Sequence, residues 1–407
     1  MNDSSRNRTD FSIFETSDVR HVANGTAPGQ AHLRVIREED FSKAGREIRS
    51  WDNYQPTKLL HLQALARRLG IRSLAYKDES TRFGIGSFKA LGAAYAAQRL
   101  LASELSAKLG LPVSLDDVRA RTHASAASRI TLVSASDGNH GRALAWASRR
   151  FGCRCVIYLH AKVSAGRQDA IESFGAKVVR VAGDYDESVR RAKGDAAEHE
   201  WSIVSDSSWS GYVDPPRDVM AGYGVMIEEA IAQSADSFTH VFLQCGVGGM
   251  AASVAAFLRQ RYGRSSPRIV IVEPQLAACL FESAVSGRST SVRLLSETVM
   301  AGLSCGVPSE LAWQVLREEA RDFLTIPDDL VAPTMNLLAH PADEDPPIAA
   351  GESAVAGLAA LIAAACQPTL TQKLGLGGES RILVIGTEGP TDPEIYRSLV
   401  RGVPATD

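Results

Sequence analysis

HVFLQCGVGGMAASVAAFLRQRYG, His240–Gly263, is the stretch that decides the architecture. Its mostly apolar opening, HVFLQ, reads as a buried strand, and its Ala-rich second half carries helical periodicity. Between them CGVGGMA, Cys245–Ala251, makes a glycine-rich turn that opens the helix. Glycines in such a turn let backbone N–H groups converge on an anion, and the helix N-terminus adds positive potential. The turn is neither GxGxxG nor a Walker loop, so a nucleotide is not implied. Taken alone, the same glycines would equally serve close helix–strand packing.

Working outward, the same strand–turn–helix unit recurs. Runs of strand character are SLAYKDE, ITLVSAS, CVIYLH, KVVRVAG, SIVSD, HVFLQCG, RIVIVEP and RILVIGTEG, with helical segments between them. Nearly all-apolar strands alternating with helices indicate parallel sheets covered on both faces, hence an α/β fold. Ligands in such folds sit outside the carboxyl ends of the strands, so function is sought in the turns. Residues 106–128 read as a surface insertion, 340–352 as a Pro- and acid-rich loop, and residues 1 to about 30 as a frayed polar start.

Bulk properties narrow the function classes. With 407 residues the chain is long enough for two domains. A net charge of −3 leaves no electrostatic footprint for nucleic acid or an anionic membrane. The longest apolar run, Ala354–Cys366, is too short for a bilayer and reads as a buried helix. The N-terminus lacks an apolar signal core, and six cysteines in 407 residues are not a secreted disulfide framework. Cys153 and Cys155 read as strand thiols rather than a metal site, since no second ligand pair follows. These features together suit a cytoplasmic enzyme acting on a small molecule, with no metal, nucleic-acid or membrane partner.

Two further stretches carry chemistry. SDGNHGRALAWA, Ser136–Ala147, packs Asp137, Asn139 and His140 into one turn between a strand and a helix. Helix capping would account for Asp137 or Asn139, and His140 by itself reads as structural. TRFGIGSFKALGAAYA, Thr81–Ala96, places Lys89 among small and apolar residues. Desolvation there lowers the pKa of a lysine, as an imine-forming amine requires, although a lone lysine in such a run reads first as a snorkelling surface residue.

A desolvated lysine, an Asn-bearing turn and a later glycine cradle, in this order, resemble fold type II pyridoxal-phosphate enzymes. The resemblance narrows to diaminopropionate ammonia-lyase through Lys77–Ala96, Asp137–Trp146, CGVGGMA, MAGLSCGVP (300–308), GESAVAGL (351–358) and GTEGPTD (386–392). It implies two open, mostly parallel twisted sheets flanked by helices, with the cofactor between two domains. The larger would comprise 1–96 and 206–407, and the smaller, 97–205, would carry the DGNHG turn.

Residue by residue, the resemblance implies that Lys89 joins pyridoxal phosphate as an imine. Asn139 would meet the cofactor's phenolic oxygen, Gly246, Val247, Gly248, Gly249 and Met250 its phosphate, and Thr387 its pyridine nitrogen. Asp137 would take the Cα proton of a D-substrate and Lys89 that of an L-substrate. Asp206, in VSDSSWSGY, would meet the side-chain amine of the substrate. Cys279 and Cys305 match two family cysteines expected near the site entrance as free thiols. The implied reaction is β-elimination of 2,3-diaminopropionate to pyruvate and two ammonia by a homodimer. Ser87, before Phe88-Lys89, keeps a hydroxyamino-acid dehydratase open, and a catalytically silent cofactor-binding protein is the rival from another class.

Overall fold

The protein is described here by a computed structural model, covering residues 11–136 and 138–401. Eleven strands form two sheets among the described residues. Seven belong to the larger: β1 (Arg20–Ala23), β2 (Lys58–His61), β3 (Ser73–Asp78), β8 (His240–Gln244), β9 (Arg268–Pro274), β10 (Asp322–Ile326) and β11 (Arg381–Gly386). Their spatial order is β1-β10-β9-β8-β11-β3-β2. The five central strands run parallel, and antiparallel β1 and β2 close the two edges.

The smaller sheet, ordered β6-β5-β4-β7 and parallel throughout, comes from β4 (Thr131–Ala135), β5 (Arg154–His160), β6 (Lys177–Val181) and β7 (Ser202–Ile203). All eight strand-like runs of the sequence are strands here.

Burial follows from composition. Every residue of β8 is buried, as a parallel strand covered on both faces requires. Small residues then let helices approach closely. Gly92, on the helix Lys89–Leu109, faces Gly222, on the helix Asp214–Gln233. A Cβ on Gly222 would lie 2.5 Å from the Leu91 carbonyl oxygen and 2.8 Å from the Gly92 Cα. Backbone therefore packs on backbone here, and the Lys89 helix is seated without a cushion of side chains.

Two expectations need correction. The stretch before residue 30 is not all frayed: β1 pairs antiparallel with β10, and Phe14 is buried. His21 Nε2 also meets Asp322 Oδ1 at 2.8 Å, so polar residues hold this stretch to the sheet. Nor is 106–128 a simple surface insertion. The Lys89 helix continues to Leu109, and Val113, Val118 and Ala127 join the core.

Candidate active site

The chain returns to the large sheet so that β11 lies between β8 and β3. The loops leaving these three neighbours therefore share one edge, which is where an open parallel sheet binds its ligands. Backbone bonds join two of them. Phe88 N donates to Thr387 O at 3.0 Å and Gly389 N to Gly86 O at 3.0 Å, clamping the approach to Lys89 onto the end of β11. In the small sheet, adjacent β4 and β7 likewise send out Asn139–His140 and Asp206. The five loops line one cleft.

Lys89 begins its helix and donates from Nζ to Asp206 Oδ2. Burial opposes charge on both groups, yet each overrides it for the other. The Lys89 ammonium holds the Asp206 carboxyl well below the usual carboxylate range. Asp206, then Tyr223, holds the amine above the ordinary lysine range. The expected lowered lysine pKa is thus corrected: with this partner Lys89 is an ammonium. His140 donates from Nε2 to Val204 O at 2.9 Å, and its Nδ1 stands 3.8 Å from Asp206 Oδ2. Burial pushes the pKa of its ring down, so it is neutral.

The glycine turn after β8 opens on the cleft and is packed from behind. A Cβ on Gly246 would meet Cys305 Sγ at 3.1 Å and the Gly302 carbonyl oxygen at 3.2 Å. Gly248 holds φ +97° as N-cap of the helix Gly249–Tyr262, and no side chain caps that helix. Val247, Gly249 and Met250 complete the lining. Uncapped N–H groups at a helix start, with no Cβ in the way, fit a phosphate.

Thr387 follows β11. Its Oγ1 accepts from Gln244 Nε2 at 3.1 Å, which leaves the hydroxyl hydrogen free to donate to an acceptor such as a pyridine nitrogen. Asn139 Nδ2 donates to Glu388, whose Oε1 accepts from Ser353 N at 3.1 Å. A primary amine, a glycine cradle, an amide and a hydroxyl facing one cleft fit pyridoxal phosphate. The expected site residues lie together here, except Asp137, which falls outside the described residues.

Several residues escaped the sequence reading. Gln244 orients Thr387, Glu388 orients Asn139, and Arg167 reaches across from the small-sheet side to Glu352 at 2.6 Å. Glu388 stood inside the quoted GTEG, but nothing in one sequence pairs it with a residue 249 positions away. Cys279 and Cys305 are both thiols and flank the same glycine, Cys279 Sγ lying 3.9 Å from Gly246 O. Among the described residues no cluster of three or more His, Cys, Asp or Glu is placed to hold a metal, and no helix is long and apolar enough to cross a membrane.

Comparison with known proteins agrees with this geometry. Residues 51–388 match the family described as pyridoxal-phosphate dependent enzymes. The chain is 37% identical to the diaminopropionate ammonia-lyase of Escherichia coli strain K12, over 96% of this chain and 97% of that one. It is 35% identical to the Salmonella typhimurium diaminopropionate ammonia-lyase, over 86% and 88%. The crystal structure of the E. coli enzyme in complex with an aminoacrylate-PLP azomethine reaction intermediate superposes with a TM-score of 0.86, at 35% identity, covering 95% of this chain and 97% of that one. The chain is a pyridoxal-phosphate-dependent enzyme and belongs to the diaminopropionate ammonia-lyase family.

Proposed function

We propose that the protein catalyses β-elimination of 2,3-diaminopropionate, giving pyruvate and two ammonia. One observation carries this reading above the rival dehydratase: the carboxylate Asp206 stands beside Lys89 on the wall of the cleft and stays ionised despite its burial. An ionised acid there attracts an amino acid with a second ammonium and repels one with an acidic side chain such as 3-hydroxyaspartate.

Pyridoxal phosphate, when bound, supplies the electron sink that makes an amino acid's Cα proton removable. The chain's residues do the rest. Gly246–Met250 hold the phosphate, Asn139 the phenolic oxygen and Thr387 the pyridine nitrogen. A threonine hydroxyl, unlike a carboxylate, does not keep the ring protonated, which suits elimination over transamination. Lys89 must first give up the proton that Asp206 stabilises, and Asp206 is then free to meet the substrate's side-chain ammonium. Asp137 takes the Cα proton from the D-isomer and Lys89 from the L-isomer, on opposite faces. Loss of the β-amine gives an enamine that hydrolyses to pyruvate and the second ammonia.

In the same reading residues 1–96 and 206–407 are the large domain and 97–205 the small one. In this reading the enzyme works as a cytoplasmic homodimer, as the family resemblance implies. The test is pyruvate and ammonia release from cofactor-loaded protein offered D- and L-2,3-diaminopropionate, D- and L-serine, L-threonine and 3-hydroxyaspartate. Two ammonia per pyruvate from a diaminopropionate isomer is the expected result. Preference for a hydroxyl substrate would make the protein a dehydratase.

A further inference from the structure

His140 is the one histidine on the cleft among the described residues, and its bonding is lopsided. Nε2 faces the Val204 carbonyl oxygen at 2.9 Å, and a carbonyl accepts only, so Nε2 carries the ring's hydrogen. In the neutral ring Nδ1 is then a bare lone pair. Nδ1 is buried and has no hydrogen-bond partner among the described residues, although the side chain lines the cleft and is only 6% exposed. The group facing it, Asp206 Oδ2 at 3.8 Å, is a second acceptor and cannot satisfy it.

Two acceptors about 4 Å apart suit one group, a tetrahedral ammonium that donates to both. The structure already holds an ammonium at one of the pair: Lys89 Nζ donates to Asp206 Oδ2. Once Lys89 is engaged by the cofactor, that place passes to another cation.

We propose that His140 Nδ1 and Asp206 Oδ2 together bind the departing β-ammonium of the substrate, and that His140 is the residue which favours an amine over a hydroxyl leaving group. This rests on the lyase reading above and deepens it. In the elimination the Cα–H electron pair forms the Cα=Cβ bond and the proton goes to the base. The Cβ–N pair leaves with the nitrogen, so a β-ammonium departs as neutral ammonia with its own three hydrogens. No acid is needed at that position. A β-hydroxyl would leave as hydroxide unless given a proton, and a bare Nδ1 has none to give. It also has fewer hydrogens to share, and would leave one buried acceptor unpaired.

The experiment compares wild type, H140Q and H140N, each loaded with pyridoxal phosphate. Gln places its amide near the Nε2 position and keeps the Val204 contact without an acceptor at Nδ1. Asn keeps an acceptor oxygen near Nδ1. The ratio of kcat/KM for 2,3-diaminopropionate to that for serine should fall about ten- to a hundredfold in H140Q, mainly through a higher KM for the diamine. It should stay near the wild-type ratio in H140N, with cofactor affinity and absorbance unchanged in both. An independent readout on the cofactor-free wild type is the ¹⁵N spectrum of its histidines, with His140 assigned by its loss in H140N. Nδ1 should be unprotonated at neutral pH.

An unchanged ratio in H140Q, or a proton on Nδ1 in wild type, overturns the proposal while leaving the lyase reading intact. A wild type that turns over no diamine overturns both.

Discussion

Lys77 and Lys89 stand at opposite ends of one loop, and both are lysines set against a carboxylate, yet they do opposite work. Lys77, on β3, is fully buried and has every donor used: Glu229 Oε2 at 2.8 Å, Thr57 O at 2.7 Å and Gln233 Oε1 at 3.1 Å. Around it Arg82 bonds Glu79 and Glu229 at 2.8 Å, so charges of both signs cancel in a buried, hydrogen-bonded network. Lys89 donates to Asp206 alone among the described residues, keeps 20% of its side chain exposed and looks onto a cleft.

The pKa directions run against intuition. Burial first, only partly offset by Glu229, pulls Lys77 down, while Asp206 lifts Lys89 in spite of burial. In the proposed mechanism the working lysine is marked by spare donor capacity facing open space, not by a depressed pKa. The buried network has its own use: it ties β3 and the loop before Lys89 to the helix carrying Glu229, and so holds that loop in place.

Substitutions that swap the two roles give the largest effects. K89A should lose turnover by roughly 10³-fold or more together with the bound cofactor's absorbance, with little change in melting temperature. K77M should do the reverse. Removing one partner of a buried pair leaves an uncompensated charge and costs about 3–5 kcal/mol, read by denaturant unfolding, while the folded fraction keeps its cofactor. A K77M protein of wild-type stability would erase the distinction.

A smaller effect concerns the seat of the Lys89 helix. G222A drives a methyl group against the Leu91 carbonyl oxygen and should destabilise by about 1–3 kcal/mol, with turnover falling because Lys89 rides on the displaced helix.

The smallest and most diagnostic effect belongs to D206N. Asp206 has a depressed pKa, so its contribution to stability is present above the unfolded carboxylate pKa of about 4 and is lost as pH falls. Lys89 has a raised pKa, so its share is present below the unfolded value of about 10.4 and is lost as pH rises through the folded one. The stability gap between wild type and D206N should therefore be widest at intermediate pH and close on acidification. Freed of its counter-charge, the buried amine should also bind cofactor at lower pH than in wild type.

Much of this was legible in the sequence, for physical reasons that vary along the chain. The central parallel strands declare themselves because two covered faces demand unbroken apolar runs, as in HVFLQ and RIVIV. The edge strands RHVA and KLLH are half-polar and four residues long, so nothing separates them from loop. DFLTI was missed because its buried Asp322 looks like a surface residue until Arg268 and His21 are seen bonded to it.

The site's glycines, Lys89, Asn139 and Thr387 were legible through their turns. The protonation of Lys89 was not, since it depends on an aspartate 117 residues away. Nor was the role proposed for His140, which rests on which ring nitrogen faces a carbonyl.

The most direct test of the contrast between the two lysines is to reduce the cofactor-loaded protein with borohydride and map the labelled peptide by mass spectrometry. The account predicts the cofactor's mass on Lys89 and none on Lys77; label on Lys77, or on another lysine with Lys89 unmodified, would contradict it.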